Sequence, residues 1–328
     1  MTEPTTLACV QSAEILATSH WEDPNEVRVA NWLRPWDGAE RIDAGILGVP
    51  LARGAIKQVG TNYAPNAIRQ TGFLFTTYSV DYGIDLKDMV VRDLGDVKIP
   101  LIDVLEAHEN IYKASTAAFA HDPRFIPIFV GGEHSEMRPL IRGLPAGRPD
   151  VQKIGIVHFD AHMDVQTLDH AGPHNGTPLR ALFDVDDIDI EGKNVASIGI
   201  GGFANGGEYH RYVKEKGVTV YSSRDVARRD MVELVGEAYE IAADGTDAVF
   251  VTFDIDCMDL AYAPGTGASA PGGLNAWQAL DAVFELGSRE KVAALEISEI
   301  DPTRDVEDMT SRLGMKLILA FLAGVTKR

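Results

Sequence analysis

The segment IGIVHFDAHMD, residues 154–164, carries an apolar run directly into a group of acids and imidazoles. Its first half is typical of a strand that is buried on both faces of a parallel sheet. Asp160, His162 and Asp164 then occupy every second position. If the backbone stays extended beyond the strand, these three side chains share one face. The segment therefore predicts a polar site at the end of a buried strand.

Similar apolar runs recur along the chain and alternate with helical patterns. The predicted strands are residues 44–50, 124–130, 153–159, 195–200, 218–222, 247–253 and 291–298, and the predicted helices are residues 101–120, 135–144, 209–218, 229–243 and 274–288. Repeated strand–helix units predict an α/β fold in which helices cover both faces of a mostly parallel sheet. No linker or internal repeat divides residues 41–328, so we expect them to form one domain.

Residues 1–40 differ from the rest of the chain and are predicted to form an N-terminal arm. They are polar at first and then carry Trp21, Trp32 and Trp36. Tryptophans in such a segment favour packing on the core or on a neighbouring subunit, and the sequence does not choose between these alternatives.

Composition narrows the function classes. The chain has 328 residues, with 49 acids against 30 bases and a net charge of -19, which disfavours binding to nucleic acid or to an anionic membrane. Cys9 and Cys257 are the only cysteines, so a disulfide framework is not expected. No apolar run approaches the roughly 18 residues of a membrane helix, and the first residues lack a secretory pattern. We therefore expect a cytoplasmic protein.

Metal-type ligands follow three of the predicted strands, in the segments FVGGEHS, HFDAHMD and TFDIDCMD. The candidate ligands are His134, Asp160, His162, Asp164, Asp254 and Asp256. Since the carboxyl ends of parallel strands meet at one edge of the sheet, these groups are expected to converge. Four buried carboxylates need cations, and six ligands suit two divalent ions better than one. Oxygen-rich ligation without thiolate favours Mn²⁺, while Ni²⁺ and Zn²⁺ stay open.

The sequence resembles the ureohydrolase family, which includes arginases, agmatinases, guanidino-acid hydrolases and formimidoylglutamases. The resemblance is carried by GGEHS (131–135), DAHMD (160–164), DIDCMD (254–259), YAPGTGASAPGG (262–273) and SEIDP (298–302). It implies a three-layer α/β/α sandwich with one mostly parallel eight-stranded sheet, as in arginases and deacetylases. It also implies two metal ions, usually Mn²⁺, and assembly into a homo-oligomer, a trimer or a hexamer.

The resemblance also assigns roles to residues. His134 and Asp164 would hold one ion, His162 and Asp256 the other, and Asp160 and Asp254 both. A hydroxide between the ions would attack the guanidino carbon of a small substrate such as agmatine or a guanidino acid, releasing urea and an amine. Asp164 would pass a proton to the leaving nitrogen. Glu299 would pair with the cationic nitrogens of the substrate.

One loop departs from the family pattern and opens an alternative. Arginases and agmatinases have a proton-shuttling histidine just before the glycine of the loop at residues 169–180, whereas this chain has Asn175 there and His174 one place earlier. We expect His174 to act in catalysis if the loop is rearranged, and Asn175 and Arg180 to contact substrate. The segments NGTPLR (175–180) and FAN (203–205) look like formimidoylglutamases, which release formamide and glutamate.

A further alternative is a metal-binding subunit that no longer turns over and is paired with an active paralogue in a hetero-oligomer. The complete ligand set and Glu299 speak against it. His158 lies within the strand and is interpreted as a core histidine. The glycines of GIGGFANGG (199–207) fit no G-x-G-x-x-G register, so a dinucleotide site is not expected.

Overall fold

The computed structural model of the protein describes residues 7–21, 23–57, 59–169, 172–186, 188–268 and 270–328. The strands are β1 Val10–Gln11, β2 Arg34–Pro35, β3 Ala44–Gly48, β4 Tyr78–Ser79, β5 Ile84–Asp85, β6 Val91–Val97, β7 Ile126–Val130, β8 Ile154–Phe159, β9 Val195–Ile200, β10 Thr219–Ser222, β11 Ala248–Asp254 and β12 Val292–Ser298. The helices are α1 Val29–Trp32, α2 Ala64–Thr71, α3 Val104–His121, α4 Met137–Gly147, α5 Pro178–Asp184, α6 Gly207–Lys216, α7 Ser223–Val226, α8 Met231–Ala243, α9 Ala276–Gly287 and α10 Met309–Val325.

One central sheet organises the fold. Its strand order is β1-β6-β3-β7-β12-β11-β8-β9-β10, and β2 also pairs with β6. The eight strands from β6 to β10 in this order are all parallel to their neighbours, which confirms the predicted sheet. The two-residue strands β1 and β2 extend it at the β6 edge, so the sheet has ten strands in all.

Helices cover both faces of this sheet because the strands are apolar on both sides. In β8, Ile154 and Ile156 face one hydrophobic cluster, whereas Val157 and Phe159 face the other. The first cluster is closed by α3, α4 and α5, and the second by α2, α8, α9 and α10. This arrangement confirms the three-layer α/β/α prediction. Within the described residues, no helix is long and apolar enough to cross a membrane.

Strand β6 was missed by the sequence analysis because polar residues interrupt its apolar pattern. Asp93 and Asp96 are both buried, and Arg69 of α2 pairs with them. The Arg69 Nε lies 2.6 Å from Asp93 Oδ2, and one terminal nitrogen lies 2.7 Å from Asp96 Oδ1. The same guanidinium donates to the carbonyl of Gly95 at 3.0 Å. A single arginine thus satisfies the buried acids of a strand that periodicity alone does not reveal.

The N-terminal segment packs on the same edge of the sheet. Residues 1–6 and 22 of the predicted arm lie outside the described residues. In the described part, β1 pairs antiparallel with β6 and β2 pairs parallel with it. Trp32 is buried, and its indole nitrogen donates to the carbonyl of Met89 at 3.1 Å. The described residues of this segment pack on the core of the same chain, and contact with a neighbouring subunit stays a prediction.

The Arg69 ion cluster provides a test of this architecture. In Arg69→Met, Asp93 and Asp96 remain buried without their cation, so the free energy of unfolding should fall by about 3–5 kcal/mol. Urea denaturation followed by circular dichroism measures the change. The control Arg124→Met removes a 72% exposed arginine paired with Asp122 at 3.6 Å, and should change stability by less than about 1 kcal/mol. Equal effects of the two variants would contradict this account.

Candidate metal centre

The candidate site lies at the carboxyl ends of four adjacent strands, β7, β12, β11 and β8. Each of them is followed directly by polar residues that the sequence analysis singled out. His134 follows β7, Asp160 follows β8, Asp254 ends β11, and Glu299 follows β12. The convergence predicted from the parallel sheet is therefore present.

The backbone reaches this arrangement by turning, so the expected continuation of extended backbone was wrong. Strand β8 ends at Phe159, and the chain bends at residues 161 and 162. After β11 a 3₁₀ turn spans Ile255–Cys257. Asp164 and Glu299 have left-handed backbones, with φ of 51° and 61°, an uncommon state for residues with a side chain. These turns, rather than strand parity, direct the carboxylates to one place.

The first group of potential ligands surrounds one nitrogen of His134. Its Nδ1 lies 2.9 Å from Asp164 Oδ2, 3.2 Å from Asp160 Oδ2 and 3.4 Å from Asp254 Oδ2. His134 and Asp160 are fully buried, and the two other acids nearly so. Three carboxylates around a single imidazole nitrogen form a donor set that suits a divalent cation.

The second group lies beside the first and shares Asp160 with it. His162 Nδ1 is 3.0 Å from Asp256 Oδ2 and 3.4 Å from Asp160 Oδ1. Asp160 therefore directs one oxygen to each group, with Oδ2 toward His134 and Oδ1 toward His162. Asp254 uses Oδ1 to accept the backbone N–H of Asp256 at 2.8 Å, which leaves Oδ2 available. The geometry thus offers two adjacent cation positions that share a carboxylate.

Buried atoms without hydrogen bonds and shifted pKa values indicate that the cluster favours additional positive charge. His134 Nδ1 and Asp164 Oδ2 are buried and have no hydrogen bond of acceptable geometry. Burial and the charges of Asp256 and Asp160 raise the pKa of Asp254 well above its ordinary value. Burial disfavours protonation of His162, yet its hydrogen bonds to Asp160 and Asp256 raise its pKa to about 12. Protons held in this way are what bound cations displace, so these residues fit two divalent ions.

Neighbouring polar groups hold the ligands in position. His158 places Nε2 3.0 Å from Asp160 Oδ2 and Nδ1 3.1 Å from Ser197 Oγ. Since both of its nitrogens are engaged, His158 orients a ligand rather than binding a cation itself. On the other side, His134 Nε2 lies 2.8 Å from Thr252 Oγ1, which in turn hydrogen-bonds the buried Glu296.

Asn205 holds the turn that carries the ligands after β8. Its Oδ1 accepts the backbone N–H of Met163 at 2.9 Å, and its Nδ2 donates to the carbonyl of Ala161 at 2.9 Å. Both bonds fix the backbone on either side of His162. Asn205, the last residue of the FAN segment singled out in the sequence, therefore supports the backbone that carries the metal ligands.

Glu299 is held by two donors on the same oxygen. Its Oε1 accepts the backbone N–H of His134 at 2.9 Å and the Nδ2 of Asn175 at 3.0 Å. Burial and the nearby charge of Glu133 raise the pKa of Glu299 to about 8, against the lowering effect of these hydrogen bonds. A buried carboxylate of this kind favours a cationic partner, which a protonated amidine supplies.

A cavity of 200 Å³ opens above these residues and identifies which predicted groups reach it. Asn175 and Glu299 line it, together with the metal-type ligands His162, Asp164, Asp254 and Asp256. His174 instead lines an adjoining cavity, and its Nδ1 accepts the backbone N–H of Gly176 at 3.1 Å. Burial lowers the pKa of His174.

The structure does not bring Arg180 into the cavity. Its Nε lies 2.5 Å from Asp184 Oδ2, and its guanidinium stacks 3.9 Å from the centre of the Tyr212 ring. The arginine is thereby engaged on the surface of α5, as expected for an i,i+4 pair. The expectation that Arg180 meets a substrate carboxylate, and the expectation that His174 shuttles protons, are therefore not supported by where these residues lie.

Sequence reasoning also missed residues that belong to the site. Lys57 lines the cavity, and Thr252 and Glu296 lie behind His134. Thr252 and Glu296 fall inside β11 and β12, where a polar residue in an apolar strand was the available signal. Lys57 carried no such signal, because nothing in the sequence places its loop over the strand ends.

Comparisons with known proteins agree with this geometry. The sequence profile of the arginase family matches residues 42–324. A formimidoylglutamase from Halalkalibacterium halodurans is 34% identical over 94% of this chain and 95% of the relative. An agmatinase and a guanidino acid hydrolase also match, each 30% identical. The matches therefore favour the formimidoyl alternative over the guanidino interpretation that the sequence analysis placed first.

Solved structures support the same assignment. The crystal structure of formimidoylglutamase from Bacillus subtilis matches with a TM-score of 0.88 and 31% identity, over 94% of this chain and 95% of that chain. A Trypanosoma cruzi formiminoglutamase with Mn²⁺ has a TM-score of 0.82 at 23% identity, over 92% of this chain and 99% of that chain, which shows the fold alone. Profile, fold and ligand cluster agree: the chain belongs to the arginase family of binuclear-metal hydrolases and, like its named relatives, acts on carbon–nitrogen bonds of linear amidines.

Proposed function

We propose that this protein hydrolyses N-formimidoylglutamate to formamide and glutamate, with two manganese ions held by His134, Asp160, His162, Asp164, Asp254 and Asp256. The observation that carries the proposal is the hydrogen bond of Asn175 to Glu299 at 3.0 Å. Asn175 occupies the loop position where arginases and agmatinases have a histidine. The greater identity to a formimidoylglutamase supports the same substrate.

The free oxygen of Glu299 fits the head group of this substrate. Because Oε1 already accepts two N–H groups, Oε2 is left to meet the amidine. A formimidoyl group has one terminal nitrogen, whereas a guanidino group has two and favours a two-pronged contact with both carboxylate oxygens. A single free oxygen therefore suits the formimidoyl group better.

The chain positions the substrate and moves protons. When bound, the two ions supply water that is acidic enough to react at neutral pH. Glu299 orients the amidine carbon toward the ligand cluster. Asp164 lines the same cavity and is placed to take a proton from the attacking water and deliver it to the leaving nitrogen of glutamate. The oxygen-rich donor set and the absence of thiolate among the ligands support manganese.

The cellular compartment and the oligomeric state of the enzyme are also part of the proposal. Cys9 and Cys257 are both free thiols, which supports a reducing, cytoplasmic environment. Assembly into a homo-oligomer stays a prediction that follows from the family.

Metal content tests the shared role of Asp160. Asp160→Asn should lose both ions, because each group of ligands includes this carboxylate, whereas Asp256→Asn should keep one. Elemental analysis of desalted protein, prepared with Mn²⁺, measures the content per chain. The control His158→Asn should still bind two ions at saturating Mn²⁺, with affinity about 10–100-fold weaker because only the orientation of Asp160 is disturbed. Two ions in Asp160→Asn would contradict the assignment.

The Asn175 contact predicts a graded loss of activity. Asn175→Ala removes one donor from Glu299 and the acceptor of the Ile56 N–H, and should lower kcat/KM by about 10-fold, with unchanged metal content. Asn175→Asp keeps the shape but sets a second carboxylate against Glu299, so its loss should be larger. Steady-state kinetics measure the activity of both variants. The control is Asn110→Ala, because the Asn110 side chain donates to the exposed carbonyl of Lys98. Wild-type activity in Asn175→Asp would refute the positioning role.

A substrate panel tests the reaction itself. Formamide release from formimidoylglutamate should exceed urea release from agmatine or guanidinobutyrate by more than about 100-fold in kcat/KM, because the site is shaped for one terminal nitrogen. The manganese-loaded enzyme is assayed with each compound at matched concentrations. Faster urea release would move the assignment to a guanidino substrate, and no release from any compound would favour a subunit without turnover.

A further inference from the structure

We propose that Lys57 and Arg53 bind the two carboxylates of an acidic amidine substrate at the rim of the metal cavity. The inference rests on the proposed function, which supplies a substrate with two such groups. Lys57 lines the 200 Å³ cavity together with Glu299. Arg53 lines an adjoining cavity of 840 Å³, and both cavities share Ile56 and Gln166. Arg53 and Lys57 also line a third cavity together, of 820 Å³, so the two bases lie beside each other at the rim.

Both bases are available for an anion. Neither Lys57 nor Arg53 forms an ion pair with any carboxylate in the part of the chain that the structure describes. Lys57 Nζ donates only to the carbonyl of Gly267, at 3.4 Å, a long bond to a neutral group that a carboxylate replaces with a stronger one. In a chain of net charge -19, unpaired bases beside an acidic cavity fit ligand binding better than folding.

The segment between the two bases is fixed in place. Asn175 donates its backbone N–H to the carbonyl of Gly54 at 3.0 Å, and its side-chain Oδ1 accepts the N–H of Ile56 at 3.2 Å. Gly54 also lies against Glu133, since a Cβ there would come within 2.4 Å of the Glu133 Oε1. The rim is therefore anchored to the same asparagine that holds Glu299. Such anchoring reduces the ordering that substrate binding requires of the two bases.

Charge complementarity requires such bases for this substrate. The four aspartates of the ligand cluster balance two divalent ions, and Glu299 balances the cationic amidine. The carboxylates of the substrate then have no partner within the cluster, and their burial without one opposes binding. In formimidoylglutamate, one carboxylate is attached to the carbon next to the amidine nitrogen, and the other ends the side chain. Lys57, in the metal cavity, takes the first, and Arg53, in the adjoining cavity, takes the second.

Three substrates that differ only in their carboxylates test the assignment. Formimidoylglutamate has two carboxylates, N-formimidoyl-2-aminobutyrate has the near one, and N-propylformamidine has none. Lys57→Gln should lower kcat/KM by about 10- to 100-fold for the first two and leave the third unchanged. Arg53→Gln should lower it to a similar extent for formimidoylglutamate alone. Lys57→Arg should retain most activity, because it keeps the charge.

A binding measurement and a control complete the experiment. Inhibition by glutamate, the acidic product, should weaken in Lys57→Gln and in Arg53→Gln by similar factors, while manganese content stays at the wild-type level. Lys153→Gln, at the amino end of β8 and therefore at the opposite edge of the sheet, should match the wild-type enzyme in every assay. Equal losses on all three amidines, or no loss on any, would overturn the proposal.

Failure of the proposed function would look different. If the wild-type enzyme ignores all formimidoyl compounds but releases urea from guanidinobutyrate, the reaction assignment fails and the carboxylate assignment is tested with guanidinobutyrate against propylguanidine. The carboxylate of guanidinobutyrate lies three carbons from its nitrogen, as the far carboxylate of formimidoylglutamate does, so Arg53 is the residue tested. A loss in Arg53→Gln confined to the acid would then still support its role, and an Arg53→Gln enzyme with the wild-type ratio of kcat/KM for the two compounds would refute it.

Discussion

The concentration of negative charge at the carboxyl ends of β7, β12, β11 and β8 is the constraint on which the rest of the site depends. Four carboxylates surround the imidazoles of His134 and His162 there, and all of them are fully or nearly fully buried. They belong to Asp160, Asp164, Asp254 and Asp256. Carboxylates in such a place repel each other and favour protonation unless cations hold them. The parallel sheet creates this situation because it brings adjacent strand ends together, and the metal site resolves it.

Much of the surrounding polar structure exists to fix the direction of a few oxygens. His158 orients Asp160, Thr252 orients His134, and Asn205 holds the turn on both sides of His162. The left-handed backbones of Asp164 and Glu299 serve the same purpose, since they turn each carboxylate back over the strand ends. Unfavourable backbone conformations persist where the neighbouring contacts determine them fully. The ligand side chains are therefore held in position by contacts within the chain itself.

Asn175 connects the chemistry to the choice of substrate. Its side-chain nitrogen donates to Glu299, and its side-chain oxygen and backbone N–H hold the rim segment that carries Arg53 and Lys57. A change at this one position therefore affects both Glu299, the proposed partner of the amidine, and the segment that frames the cavity. This coupling is the physical basis on which the proposed choice of a formimidoyl substrate depends.

The sequence by itself determined the layered α/β fold, the parallel body of the sheet and the candidate ligands, because apolar runs and strand-end acids are local patterns. It did not reveal β6, whose buried Asp93 and Asp96 are satisfied by Arg69 from a distant helix. Only the tertiary structure decided that Arg180 is engaged on the surface, that His174 faces an outer cavity and that Lys57 lines the inner one. Loops crossing the strand ends fix these positions through contacts between residues far apart in sequence, and no local pattern records such contacts.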